Sequence, residues 1–168
     1  MRERRTLSDL DWPPYLNPMR PFFVYSLFIL LVLGIGLAIG IINVPGDWYQ
    51  SLNKPVFNPP NWIFAPVWTV LYIIIGYVGA RTWLRDRHSK AMRFWFAQML
   101  FNFAWSPLFF GLHELALALI VILALLISIF GFILTVRRED GLAAILFAPY
   151  AAWVAFASLL NGSILLLN

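Results

Sequence analysis

Residues 45–72 read P-G-D-W-Y-Q-S-L-N-K-P-V-F-N-P-P-N-W-I-F-A-P-V-W-T-V-L-Y. Five prolines (Pro45, Pro55, Pro59, Pro60, Pro66) and three tryptophans (Trp48, Trp62, Trp68) stand within these 28 residues, between two long apolar runs. Proline lacks a backbone donor and fixes its own φ. It also pushes the preceding residue toward extended geometry. Most of the segment is therefore expected to be a stiff, aromatic, non-helical cap, ending where Pro66 opens a helix as its first residue. Pro55, Pro59, Pro60 and Trp62 form the body of that cap. Such rigidity fits a lid over a ligand site. The plainer alternative is an interfacial anchor, because tryptophan gathers at membrane surfaces.

The chain around the cap has 168 residues, 61% hydrophobic and only 12% charged, with a mean hydropathy of +0.78. Soluble domains carry about a quarter charged residues, so the composition is that of an integral membrane protein. There is no cysteine, which excludes a disulfide framework, a thiolate metal site and a cysteine nucleophile. The net charge is +4, but the basic residues sit at helix ends rather than in one patch, so nucleic acid is not an expected partner. Residues 1–20 read as a polar N-terminal tail: Asp9, Asp11 and several prolines separate its arginines from the first apolar run.

Five apolar segments are long enough to cross a bilayer: residues 22–44, 65–84, 92–112, 115–136 and 142–167. Lipid leaves helices as the only solution for separate spans. The fold class is thus all-α, a polytopic five-helix bundle occupying residues 21–168, with the Trp/Pro-rich loop between the first two helices. Gly34, Gly36 and Gly40 are expected to let a neighbouring helix approach the first span. Of the 12 Lys and Arg, all but Lys54 fall on one side when the loops are assigned alternately. The positive-inside rule then places the N-terminus inside, and the cap and C-terminus outside.

No Asp, Glu, Lys or Arg lies in the middle of any span, which argues against a proton relay, a voltage sensor or an ion-coupled pump. His88 and His113 fall at opposite faces, so a bis-histidine haem site is excluded. His113 keeps either an axial role alone or interfacial anchoring. No metal site is expected. Uncharged groups carry more information. Gln98, Asn102, Trp105 and Phe109 make one stripe on the third span. Asn102 lies roughly 15 Å along that helix, at a depth where an unpaired amide is costly. It serves either interhelical bonding or ligand bonding. Trp153, Ala157 and Asn161 repeat the spacing on the fifth span, and Trp68, Tyr72 and Gly76 on the second. Trp153 sits too deep for an interfacial belt, and its N–H wants a partner. Pro149 is expected to kink its helix. The stripes and the lid together describe an aromatic, uncharged cavity suited to a flat hydrophobic molecule.

The string W-Y-x-x-L-x-K-P-x-x-x-P-P-x-W-x-F-x-P-V-W-x-x-L-Y (residues 48–72) resembles the signature of the TspO/MBR family of tryptophan-rich sensory and translocator proteins. Q-x-x-x-N-x-x-W-S-x-x-F-F (98–110) and P-Y-x-x-W-x-x-F-A-x-x-L-N (149–161) continue the resemblance, which covers about residues 22–168. It implies a bacterial-type member in the cell membrane that needs no cofactor and binds porphyrins such as protoporphyrin IX. The ligand-binding residues that the resemblance implies are Trp48, Trp68, Asn102, Trp153 and Ala157; the stripes add Tyr72 and Trp105 as expected ligand-binding residues. Receptor or sensor is the first reading. Light-dependent oxidation of protoporphyrin, with Trp68 and Trp153 as candidates, is the second, and transport the third. The chain carries no acid–base pair or activated nucleophile, so enzymatic action would rest on the porphyrin's own photochemistry. A homodimer is also implied, although Arg93 stands at the first small position of the family's dimer stripe, ahead of Ala97. The cholesterol motif of animal members is missing: Gly162 and Leu166 occupy its place.

Overall fold

The computed structural model describes residues 19–168; the polar tail expected over residues 1–20 lies almost entirely outside them. The described residues fold into six helices: α1 (Met19–Ile42), α2 (Asp47–Ser51), α3 (Phe64–Asp86), α4 (Lys90–Ser106), α5 (Leu115–Val136) and α6 (Gly141–Leu167). The all-helical membrane class holds, and the helix count is corrected. The cap contains a short helix of its own, α2, in the proline-free stretch between Pro45 and Pro55. A 3-10 turn at Asn61–Ile63 then leads straight into α3. Pro66 is consequently the third residue of α3 rather than its first. Proline is tolerated there because first-turn N–H groups have no intrahelical acceptor.

Four helices among the described residues are long and apolar enough to cross a membrane: Pro21–Ile42, Asn61–Asp86, Leu115–Val136 and Gly141–Leu167. The expected span at 92–112 is split. α4 has 17 residues and gives way at Pro107 to a π-helical segment, Pro107–Gly111. Pro107 cannot donate to the Phe103 carbonyl, and the chain widens, with Leu112 N–H donating to Pro107 O at 2.8 Å. α6, by contrast, runs unbroken through Pro149.

Local signals fix the helix starts at the arginine-rich end. The Ser89 hydroxyl accepts from Met92 N–H at 3.1 Å, and the Asp140 carboxylate accepts from Ala143 N–H at 3.2 Å, each an N-cap. Packing then pairs α1 with α3, and α4 and α6 with α5, while α3 meets α4 and α6 more sparsely. Gly76 brings the α1 backbone against α3, and Gly36 receives the Tyr72 ring. Gly34 and Gly40 face open space, so of the three α1 glycines expected to admit a neighbour only Gly36 does. Gly79 and Gly131 make room for Trp95 and Phe94, and Trp95 Nε1 donates to Ile75 O at 3.0 Å. The outer faces carry Leu30, Ile41, Leu100, Ile127 and Ile145, the surface lipid solvates.

One ion pair ties α3 to the start of α6 away from the cap. The Asp140 carboxylate, 2% exposed, is bonded by Arg81 Nε and lies 3.6 Å from Arg85 Nη1. Burial pushes the Asp140 carboxyl up, but the Arg81 bond, the Ala143 N–H and the two guanidinium charges outweigh it and hold it below the ordinary carboxylate range. A depressed folded value stabilises above the unfolded value of about 4 and loses that stabilisation as pH falls through the folded one. Thermal unfolding followed across this acid range should show a falling midpoint, and Asp140→Asn should flatten that limb. An identical acid limb in the variant would assign it to other carboxylates.

Candidate functional site

Three helices converge on a buried polar chain at the middle of the bundle. Tyr72 Oη (α3) donates to Asn102 Oδ1 at 3.2 Å. Asn102 Nδ2 (α4) donates to Tyr150 Oη at 2.7 Å, and Tyr150 Oη (α6) donates to Gln98 Oε1 at 2.8 Å. All four side chains are buried. The stripe Gln98–Asn102 thus points inward, as its spacing requires. Asn102 spends both ends of its amide on tyrosines of other helices. Gln98 Nε2 has no partner.

The aromatic groups form two neighbouring assemblies. Trp68 stands edge-on to Tyr150 at 6.4 Å between centroids and leans over Tyr72 at 5.4 Å. Trp153 lies between Phe64 (5.9 Å, edge-on) and Phe156 (5.7 Å). Its Nε1 is buried without a partner. Nearer the end of the bundle that carries α2, Trp105 donates from Nε1 to Asn161 Oδ1 at 3.1 Å and packs on Phe109. Asn161 Nδ2 donates to Leu115 O at 3.0 Å, joining α6 to α5. Trp48 lies farthest out, stacked on His113 with centroids 3.9 Å apart. His113 takes φ 61°, a left-handed turn that few bulky residues adopt.

Two hollows border these groups. An open apolar groove of about 820 Å³ runs between α3 and α6, lined among others by Pro59, Val67, Ile74, Pro149, Ala152 and Trp153. A second, partly open hollow of only about 20 Å³ lies among Tyr49, Phe64, Trp105 and Ala157. The structure therefore distributes the sequence-predicted residues. Trp153 and the cap residue Pro59 line the groove, and Trp105 and Ala157 line the smaller hollow. Tyr72 and Asn102 belong to the polar chain, with Trp68 packed against it. Trp48 meets His113, and Pro55, Pro60 and Trp62 line neither hollow.

Sequence reasoning gave no site role to Tyr49, Phe64 or Tyr150. Tyr49 is 3% exposed, its ring edge-on to Phe109 and Phe110. Phe64 meets Trp153. Tyr150 had a readable signal: it stands three residues before Trp153, on the stripe of Trp153 and Ala157. Phe64 had one too, four residues before Trp68 on the stripe of Trp68 and Tyr72; Tyr49 had none, because a cap residue's inward turn has no period to reveal it.

The geometry holds neutral, flat, apolar surface next to hydrogen-bonding groups already engaged with one another. Among the described residues no three His, Cys, Asp or Glu side chains gather as metal ligands.

A sequence profile described as the TspO/MBR family matches residues 28–167. The chain is 40% identical to protein CrtK of Rhodobacter capsulatus over 135 residues, 78% of this chain and 84% of that one. It is 40% identical over 144 residues to the tryptophan-rich protein TspO of Archaeoglobus fulgidus, covering 83% of this chain and 94% of the relative. The human translocator protein is 31% identical over 151 residues, 85% and 89% of the two chains. A match over most of the chain, from within the first apolar segment to the end of the last, and shared with relatives of nearly the same length, means that this chain belongs to the TspO/MBR family.

Proposed function

We propose that the protein is a membrane receptor or buffer for porphyrins of the protoporphyrin IX type, seated in the α3–α6 groove with Trp153 as its aromatic wall. The observation that carries this reading is the groove itself. Its volume, about 820 Å³, falls in the range of small-molecule sites, and no ionisable side chain stands among its lining residues. That favours the face of a large, flat, weakly polar ring over a sugar, nucleotide or ion. Relatives named tryptophan-rich sensory protein and translocator protein are in keeping with a sensing or carrying role. The distribution of Lys and Arg supports placing the α2 end outside and the arginine-rich end inside.

Protoporphyrin IX titration in darkness, read by tryptophan quenching, tests the reading. Saturable quenching is the expected result, and its absence removes the porphyrin. Ala152 lines the groove and is exposed. Ala152→Phe should therefore weaken binding about tenfold, the effect of lost shape fit at one wall, with the unfolding midpoint unchanged. Equal affinity would move the ligand elsewhere.

One observation favours a second reading. Trp153 borders the groove and would lie against a bound ring, as an indole exposed to porphyrin-sensitised oxygen must. Illumination with dioxygen present then separates the two. Porphyrin bleaching faster than in empty detergent, and lost in Trp153→Phe, supports oxidation. Equal bleaching leaves a receptor or buffer.

A further inference from the structure

The ion pair between α3 and the start of α6 holds more donors than its one carboxylate can accept. Asp140 takes the Nε–H of Arg81, which leaves both terminal nitrogens of that guanidinium to other acceptors. Arg85 follows one turn later. Its Nη1 stands 3.6 Å from the same carboxylate oxygen, too far for a hydrogen bond, and its side chain is 46% exposed. Tyr77, one turn before Arg81, stacks on Tyr25 of α1 with ring centroids 5.1 Å apart. Both tyrosines are half-buried, and each brings a hydroxyl able to donate. The acids close by are spent or set apart. Asp86 accepts from His88 N–H at 2.8 Å inside the α3–α4 turn, and Glu139 is exposed beside Arg138.

We propose that Arg81 and Arg85, with Tyr77 and Tyr25, form a binding site for the headgroup phosphate of an anionic phospholipid in the leaflet at the arginine end. Depth is the first argument. Arg81 lies roughly 26 Å along α3 from Phe64, close to the ~30 Å thickness of the hydrocarbon layer, so the cluster stands at headgroup level. Charge is the second. Two guanidinium groups face one carboxylate, and the single positive charge left over is completed by a lipid carrying one net negative charge. A zwitterionic lipid brings its own cation and does not complete it. Geometry is the third. A guanidinium fork matches a phosphate, and Asp140, itself buried, holds Arg81 in place by one nitrogen while the other two stay available. Tyrosine rings settle at the headgroup level, and basic pockets between transmembrane helices take anionic headgroups. None of the four residues lines the α3–α6 groove, so the site stands whatever the groove holds.

Native mass spectrometry of the whole protein in neutral detergent tests it, with phosphatidylglycerol and phosphatidylcholine of identical chains offered at equal concentration. Phosphatidylglycerol should be retained about tenfold over phosphatidylcholine, the margin of a charge-assisted contact. Equal retention would overturn the site. Arg85→Gln should remove most of the preference. Arg93→Gln takes the same charge from an exposed position at the start of α4 and should leave the preference intact. Equal losses in the two variants would mean diffuse attraction to a basic end, and no site. Tyr77→Phe keeps the ring stack and deletes one hydroxyl, and it should weaken phosphatidylglycerol retention about threefold. It decides the matter if the unfolding midpoint of Arg85→Gln shows that this variant does not fold, and unchanged retention would then count against the site. Inorganic phosphate in excess should not displace the lipid. Displacement would assign the cluster to free phosphate and overturn the lipid.

Discussion

Replacing Asn102 by leucine is expected to cost roughly 2–3 kcal/mol of stability, from two lost bonds and a stranded hydroxyl. Asn102 accepts from Tyr72 and donates to Tyr150. Leucine can do neither. The Tyr72 hydroxyl is left without an acceptor on the inner side of α3, where no water competes to relieve it. The Tyr150 hydroxyl keeps its bond to Gln98 but loses its donor. Hydrogen bonds between transmembrane helices average less than 1 kcal/mol when simply exchanged, so the larger figure comes from the orphaned group. A double-mutant cycle separates the two contributions. Tyr72→Phe alone should cost about 1 kcal/mol. In the Asn102→Leu background it should cost nothing or recover stability, because it removes the stranded hydroxyl. Unfolding midpoints in detergent provide the four corners. Additive losses would mean the Tyr72–Asn102 bond is not a working contact.

That polar chain also shows where a sequence stops being informative. The spacing of Gln98, Asn102 and Trp105 identifies an inward stripe, and the depth of Asn102 states that it must have a partner. Nothing in the spacing says that the partners are Tyr72 and Tyr150, because each lies on a different helix and the register between helices is set by packing. The same limit explains Trp48. Its place in the cap is legible, but its stacking on His113 depends on a left-handed residue at the α4–α5 turn. α2 was nearer to being readable: the prolines on either side leave one uninterrupted stretch, enough for a turn and a half. The small size of the second hollow was not readable at all. Three aromatic stripes predict a concave site equally well whether the cavity is open or filled by Tyr49 from the cap and Phe64 from the start of α3.

Gly76→Ala should be more damaging than its single methyl group implies, at about 3 kcal/mol or more, the upper range for overpacking a tight contact. A Cβ there meets the Ile29 backbone at 2.6 Å and the Phe28 carbonyl oxygen at 3.0 Å. A side chain in the way could rotate, but backbone can yield only if α1 as a whole retreats. α1 can retreat, because α3 is the neighbour it packs on most extensively, and lipid does not push it back as water would. The loss should then spread. Gly36 on α1 holds the Tyr72 ring, with less than 3 Å between that ring and the place of a Cβ. A displaced α1 therefore frees Tyr72, and with it the bond to Asn102. Gly34→Ala is the matched control: it adds the same methyl to α1 where nothing lies within 4 Å, and it should leave the unfolding midpoint unchanged or slightly raised, since alanine is the better helix former. Unfolding midpoints decide between a local clash and this spreading one. If Gly76→Ala and Asn102→Leu combine to less than the sum of their separate losses, the α1–α3 contact and the polar chain act as one unit. Strict additivity would confine the glycine's role to helix packing.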